Sequence, residues 1–197
     1  MDLISIMLHK KEKVTEIVGI LDGIVQVRFE HRAERRLALF LTQPLRIADG
    51  FLFIIFQNDA QKLSDSDLEF LVGSTDIKDG CQKLHQLGVR FVAVTLGPNG
   101  SYYSYSGGAA FQETYDTTVI DTTGSGDTFM AAILAGILST EKDIDEIPNE
   151  QMYDIVDFAN AAGALCATQT GSMTSMPYEN EINECRKTVQ KLKVKRM

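Results

Sequence analysis

The chain has 197 residues, enough for one domain with a sizeable core. Its 19 basic and 27 acidic residues give a net charge of −8, which argues against a nucleic-acid-binding surface but not against a small anion held by backbone amides. No apolar run reaches membrane-spanning length, Met1 to Ile6 reads as no signal peptide, and Cys81, Cys166 and Cys185 form neither a metal-type spacing nor an even disulfide set, so a cytoplasmic chain with reduced thiols and no membrane partner is expected.

Residues 1–58 show no catalytic motif. Strands are expected at Ile24 to Phe29 and Phe51 to Phe56. Arg28, Arg32, Arg35 and Arg36 between them read as a solvated helix face or as a phosphate-binding cluster. This segment holds 8 basic and 7 acidic residues and leaves 11 and 20 to the remainder, so composition shifts near residue 58. The chain is therefore divided into an unassigned segment, 1–58, and an orderly part, 59–197.

Lys62 to Gly73 reads as a strand end running into a helix, with Ser64 or Asp65 as cap, Leu68, Leu71 and Val72 as apolar face and Gly73 as stop. Ser74 to Gly88 predicts a second helix through Ile77, Cys81, Leu84 and Leu87; His85 within it reads as structural. Val89 to Leu96 is near-continuously apolar, as in a strand buried on both faces. Gly97-Pro98-Asn99-Gly100 then makes a tight turn. Ser101 to Tyr105 and Ala109 to Thr114 predict a hairpin around Gly107-Gly108, with Tyr102, Tyr103 and Tyr105 packed on a sheet face or available to stack on a base.

The stretch with most chemical content is Asp121-Thr122-Thr123-Gly124-Ser125-Gly126-Asp127, between an expected strand, Thr117 to Ile120, and an apolar helix, Thr128 to Leu138. Small residues at a strand-to-helix turn expose amides at the positive end of the helix dipole, a setting for phosphate or a developing oxyanion. Asp127 in the same turn suits a base that takes a proton from a hydroxyl attacking phosphorus. An ordinary helix cap would use the same residue types. Beyond it lie an acidic loop, Ser139 to Pro148, an alanine-rich helix, Met152 to Thr168, and a polar helix, Tyr178 to Val194, with a basic end.

The seven-residue stretch resembles the DTTGAGD-type signature of the ribokinase-like (PfkB) carbohydrate kinases, and Ser64 to Leu71 with Phe158 to Pro177 resembles the fructokinase members. The resemblance runs from about Asp59 to about Lys191. It implies an α/β, three-layer αβα fold, truncated because the family's N-terminal strands, Gly-Gly sugar signature and β lid are not legible here. It implies ATP-dependent phosphorylation of a sugar, with Asp127 as base and the Gly124, Ser125 and Gly126 amides as anion hole. Thr95, Gly97 and Gly100 match the family's T-L-G-x-x-G nucleotide loop. Asn160 matches a polar residue bordering the adenine pocket, although a surface asparagine explains it equally well. Asp67 stands where relatives have a glutamate that holds Mg2+ through water. Asp121, Thr123, Cys166, Gln169, Gly171 and Ser175 match a loop pair that encloses a monovalent cation, K+. Family members often dimerise through the lid, which is not legible here, so a homodimer does not follow from the resemblance alone. The alternative is a non-catalytic nucleotide-binding or interaction remnant of a sugar kinase.

Overall fold

The structure, a computed structural model, describes residues 14–21, 24–29 and 59–193. Among these residues one sheet has six strands: β1 (Val14–Leu21), β2 (Ile24–Phe29), β3 (Ala60–Ser64), β4 (Phe91–Thr95), β5 (Ser101–Tyr105) and β6 (Gly108–Gln112). Their spatial order follows the chain. Only β3 and β4 are parallel; the other pairs are antiparallel. A parallel pair needs a crossover, and here it is two helices, α1 (Asp65–Val72) and α2 (Ile77–Gln86).

The first crossover helix begins and ends on the residues expected of it, while the second runs from Ile77 to Gln86, inside the expected Ser74 to Gly88. Ser64 caps α1 by accepting from Asp67 N, and Asp67 returns the bond to Ser64 N, a closed capping box. Gly73 ends α1 in the left-handed conformation. Asp76 caps α2 by accepting from Asp79 N. Leu68, Cys81 and Leu84 bury against Leu63, Val92 and Val94 on one face of the sheet. Burial pushes the Cys81 thiol up to about 12, so it packs as an inert apolar group. His85 bridges Val89 O and Ser104 Oγ, both at 2.8 Å, which is a structural role.

The opposite face carries α3 (Ser125–Ser139), α4 (Asn149–Cys166) and α5 (Glu179–Thr188). Ala60, Phe91, Ala93, Tyr103 and Tyr105 share a core with Phe129, Met130, Ile133, Val156, Ala159 and Ile182. Helices on both faces of the sheet make the expected three layers. The tyrosines are packing residues: Tyr102, Tyr103 and Tyr105 are all buried. Small residues let α3 and α4 approach closely; a Cβ on Gly136 would stand 2.6 Å from Ile155 Cγ2.

Four expectations change. First, Thr117 to Ile120 forms no strand. It lies along the end of α4 instead: Thr117 Oγ1 donates to Ala164 O and Ile120 N to Ala167 O, carbonyls that a helix end leaves open. Second, the last helix stops at Thr188 rather than Val194, and Lys191 pairs with Tyr115 in an isolated bridge. Third, β1 is a further strand, and with β2 it covers the outer edge of β3. Fourth, the acidic loop contains a short 3-10 turn, Ile144–Glu146, and α4 begins three residues early at Asn149. The expected strand Phe51 to Phe56 and Arg32, Arg35 and Arg36 lie outside the described residues.

Candidate active site

The site forms at the carboxyl ends of the parallel strands, where open α/β sheets place their ligands. β3 ends at Ser64 and β4 at Thr95, side by side in register. The first turn of α3 arrives at the same edge. Gly124 starts that helix at φ +81, a conformation that costs a residue with a side chain. Thr128 N closes the first helical bond to Gly124 O at 2.8 Å. Asp127, half-buried, sits inside this turn.

The three amides expected at the anion hole are not equivalent. Ser125 N donates to Thr122 O at 3.1 Å. The amides of Gly124 and Gly126 make no hydrogen bond among the described residues and stay open to an anion. The hydroxyls of Ser125 and Thr128 are buried without a partner among the described residues. Unsatisfied donors at a helix start are what an incoming oxyanion completes.

Sequence reasoning missed Lys62. It lies on β3, on the face that looks toward α3, and is only 6% exposed. A Cβ on Gly126 would stand 2.5 Å from its Nζ, so the ammonium packs directly against that glycine. Burial lowers the Lys62 pKa, while the negative charges of Asp127 and Asp67 pull it back up. The available signal was a lysine inside an otherwise buried strand, since lysine is almost never fully buried without a reason.

The residues matched to a cation loop do come together. Asp121 Oδ1 accepts from Thr123 N at 2.9 Å and Oδ2 from Gly171 N at 3.1 Å. Hydrogen bonds from Thr123 and Gly171 hold the Asp121 carboxyl below its usual range. Ser175 Oγ donates to Gly171 O and, at 2.9 Å, to Ser172 O; Cys166 Sγ lies 3.4 Å from Ser175 Oγ and 3.8 Å from Thr123 O. Backbone carbonyls with one carboxylate are hard oxygen donors, the type that suits K+. Gln169 is exposed, and only its backbone amide bonds into the loop, to Cys166 O at 3.4 Å.

Asp67 gives one oxygen, Oδ2, to the capping box, accepting from Ser64 N at 2.9 Å and Ser64 Oγ at 2.6 Å. Its Oδ1 takes no hydrogen bond among the described residues. One carboxylate oxygen fits a Mg2+ that keeps most of its water. Among the described residues there is no cluster of three or more His, Cys, Asp or Glu side chains that would hold a metal outright.

In the loop matched to the family's T-L-G-x-x-G pattern, Leu96 N donates to Gly100 O at 2.8 Å, closing the turn. Gly100 has φ +87, and a Cβ there would strike Gln112 O at 1.9 Å. Thr95 Oγ1 is turned back to Leu63 O at 3.2 Å. Asn160 is no surface residue: it is 5% exposed and donates to Ser101 Oγ at 3.0 Å and Gln112 Oε1 at 3.4 Å. It thus ties α4 to the strand that follows Gly100. One turn further on, Gly163 lies under Ser125, and a Cβ there would stand 3.2 Å from Ser125 O.

Residues 39–179 match the model of the pfkB family carbohydrate kinases. The chain belongs to this family. The match begins inside the motif-free segment 1–58. Among curated PfkB relatives, it is 35% identical over 124 residues to a protein named probable fructokinase-2 of Arabidopsis thaliana, covering 62% of this chain and 37% of the relative. It is 31% identical over 150 residues to a fructokinase of Escherichia coli, covering 76% and 45%. Among solved structures it resembles a double mutant of the fructokinase of Vibrio cholerae O395, determined with fructose, ADP and potassium ion, at TM-score 0.63 and 27% identity over 73% of this chain and 46% of that one. The chain therefore spans less than half the length of each of these PfkB relatives.

Proposed function

We propose that this chain carries the nucleotide-binding and catalytic half of an ATP-dependent sugar kinase of fructokinase type, with residues 59–197 as that half. One observation carries the reading: Asp127 stands in the first turn of a glycine-started helix whose Gly124 and Gly126 amides are open, at the carboxyl edge of β3 and β4. The substrates are ATP and a sugar, fructose first, by likeness to the relatives.

Asp127 takes the proton of a sugar hydroxyl. The oxygen forms a bond to the γ-phosphorus as the bond to the leaving ADP breaks, and the proton stays on the carboxylate. The Gly124 and Gly126 amides stabilise charge on the transferring group; Ser125 N joins them only by releasing Thr122 O. Asp67 would hold Mg2+ through water, and the ion would supply neutralisation of phosphate charge. The Thr95, Gly97 and Gly100 loop and Asn160 hold the nucleotide. The loops of Asp121, Thr123, Cys166, Gln169, Gly171 and Ser175 would hold K+ beside the turn of the anion site.

The test is ADP release from Mg-ATP by the full chain with and without fructose, with Asp127→Asn as control. ATP binding with no release for any sugar would instead leave a nucleotide-binding unit without an acceptor site.

A further inference from the structure

Gln112 ends β6 and is buried. A buried amide is costly unless both of its ends are paired. Here both are. Nε2 donates to Tyr153 O, a carbonyl of α4, at 2.7 Å, and Oε1 accepts from Asn160 Nδ2 at 3.4 Å. Because a carbonyl only accepts, Tyr153 O decides which way round the Gln112 amide stands. Asn160 then turns its amino group toward Gln112 and shares that group with Ser101 Oγ at 3.0 Å. An aliphatic side chain would also pack β6 against α4, so the polar pair adds direction rather than burial.

The backbone of the same residue meets the Gly97–Gly100 turn. Gln112 pairs with Ser101, the first residue after that turn. Its carbonyl oxygen lies 1.9 Å from the place of a Cβ on Gly100, so the turn is seated on it. The Gln112 side chain therefore pins to α4 the surface on which the turn rests. The same helix backs the signature turn: the place of a Cβ on Gly163, one turn beyond Asn160, is 3.2 Å from Ser125 O. One helix thus carries both turns.

We propose that Gln112 is a positioning residue for nucleotide binding: through Tyr153 O and Asn160 it fixes the Gly97–Gly100 turn on α4, in register with the Gly124 to Gly126 turn. The inference rests on the reading above that the first of these turns holds the nucleotide and the second the terminal phosphoryl group. A turn already set in its binding shape loses less freedom when ligand arrives. ADP and ATP both use the first turn, so both depend on Gln112.

Gln112→Met keeps the length of the side chain and removes both hydrogen bonds. Tyr103→Phe is the control for a purely structural tie. It removes the bond from Tyr103 Oη to Asn149 Oδ1, which is 2.9 Å long and joins the same sheet to the other end of α4. That end is about 16 Å along the helix from Asn160. The full chain and both variants are titrated calorimetrically, below the onset of melting, with ADP and with the non-hydrolysable β,γ-imido analogue of ATP, both with Mg2+. Gln112→Met is expected to lose about ten-fold in affinity for both nucleotides. Tyr103→Phe should melt earlier yet bind both within about two-fold of wild type. Where turnover is measurable, the KM for ATP rises in Gln112→Met while kcat stays within about two-fold. If Gln112→Met does not melt cooperatively, Asn160→Ala takes its place.

Unchanged affinity in Gln112→Met, or an equal loss in Tyr103→Phe, overturns the proposal and leaves the kinase reading standing. A loss confined to the imido analogue puts the effect at the terminal phosphoryl group and also overturns it. A wild-type chain that binds neither nucleotide overturns both. Binding that depends on Gln112, with no turnover of any sugar, keeps this inference and defeats the kinase reading.

Discussion

Gly124 and Ser172 lie in contact across the two loops of the site: a methyl group on Gly124 would stand 2.4 Å from Ser172 Oγ and 2.8 Å from Ser172 Cα. The signature turn and the loop after α4 are thus one packed unit, joined again by the Asp121 carboxylate and Gly171 N.

Gly124→Ala is expected to strain a φ of +81 and to clash with backbone that cannot rotate away. A loss of about 1–3 kcal/mol in stability follows. Chemical denaturation measures it. Gly124→Ala/Ser172→Gly should recover part of the loss by removing the Oγ contact, while the backbone strain remains.

Asp157 governs the acid limb of stability. It accepts from Tyr115 Oη at 3.0 and 3.1 Å, from Arg186 Nε at 2.9 Å and from Lys191 Nζ at 2.5 Å. Burial raises its pKa, but the bonds and charges of Lys191 and Arg186 outweigh burial and hold it below 3.8. The folded state therefore binds this proton less readily than the unfolded chain. The stabilisation is full above 3.8 and is lost as pH falls through the lower folded value. Asp157→Asn should cost about 2–3 kcal/mol at neutral pH, somewhat less than a fully buried pair, and flatten the low-pH arm of a melting-temperature profile. An unchanged profile would remove Asp157 from this role.

Asp67 caps the helix after β3 and is proposed to hold Mg2+, and one substitution can separate the two roles. Asn at this position keeps an oxygen to accept from Ser64 N and loses the charge. Asp67→Asn should therefore leave the melting temperature within a few degrees while raising the Mg2+ concentration needed for half-maximal nucleotide binding several-fold. Ser64→Ala should do the opposite, costing about 1 kcal/mol of helix stability with little effect on Mg2+. A matching response from both variants would mean that Asp67 is a capping residue only.

The sequence made the run from β3 to α4 legible because its signals are local. Ser64 and Gly73 bracket α1 by capping chemistry, and Val92 and Val94 alternate with Phe91 and Ala93 between two buried faces. Thr117 to Ile120 misled because β propensity counts only where a neighbouring strand exists. Here the neighbour is a helix end, and Val119 and Ile120 stay 60% and 65% exposed. Asn160 and Lys62 were hidden for a related reason: their burial depends on Ser101, Gln112 and Gly126, which are distant in sequence. The pairing of the loops around Asp121 and Gly171 was legible only through family resemblance, because no local rule links residues 50 positions apart.

The proposed role of Asp127 as the base of a sugar kinase is tested by sugar-dependent ADP release from the full chain. With Mg-ATP, K+ and fructose, release is expected and should stop when the sugar is withheld. In Asp127→Asn it should fall by about 10² to 10⁴, with ATP binding retained. Release at the wild-type rate in Asp127→Asn would rule out Asp127 as the base.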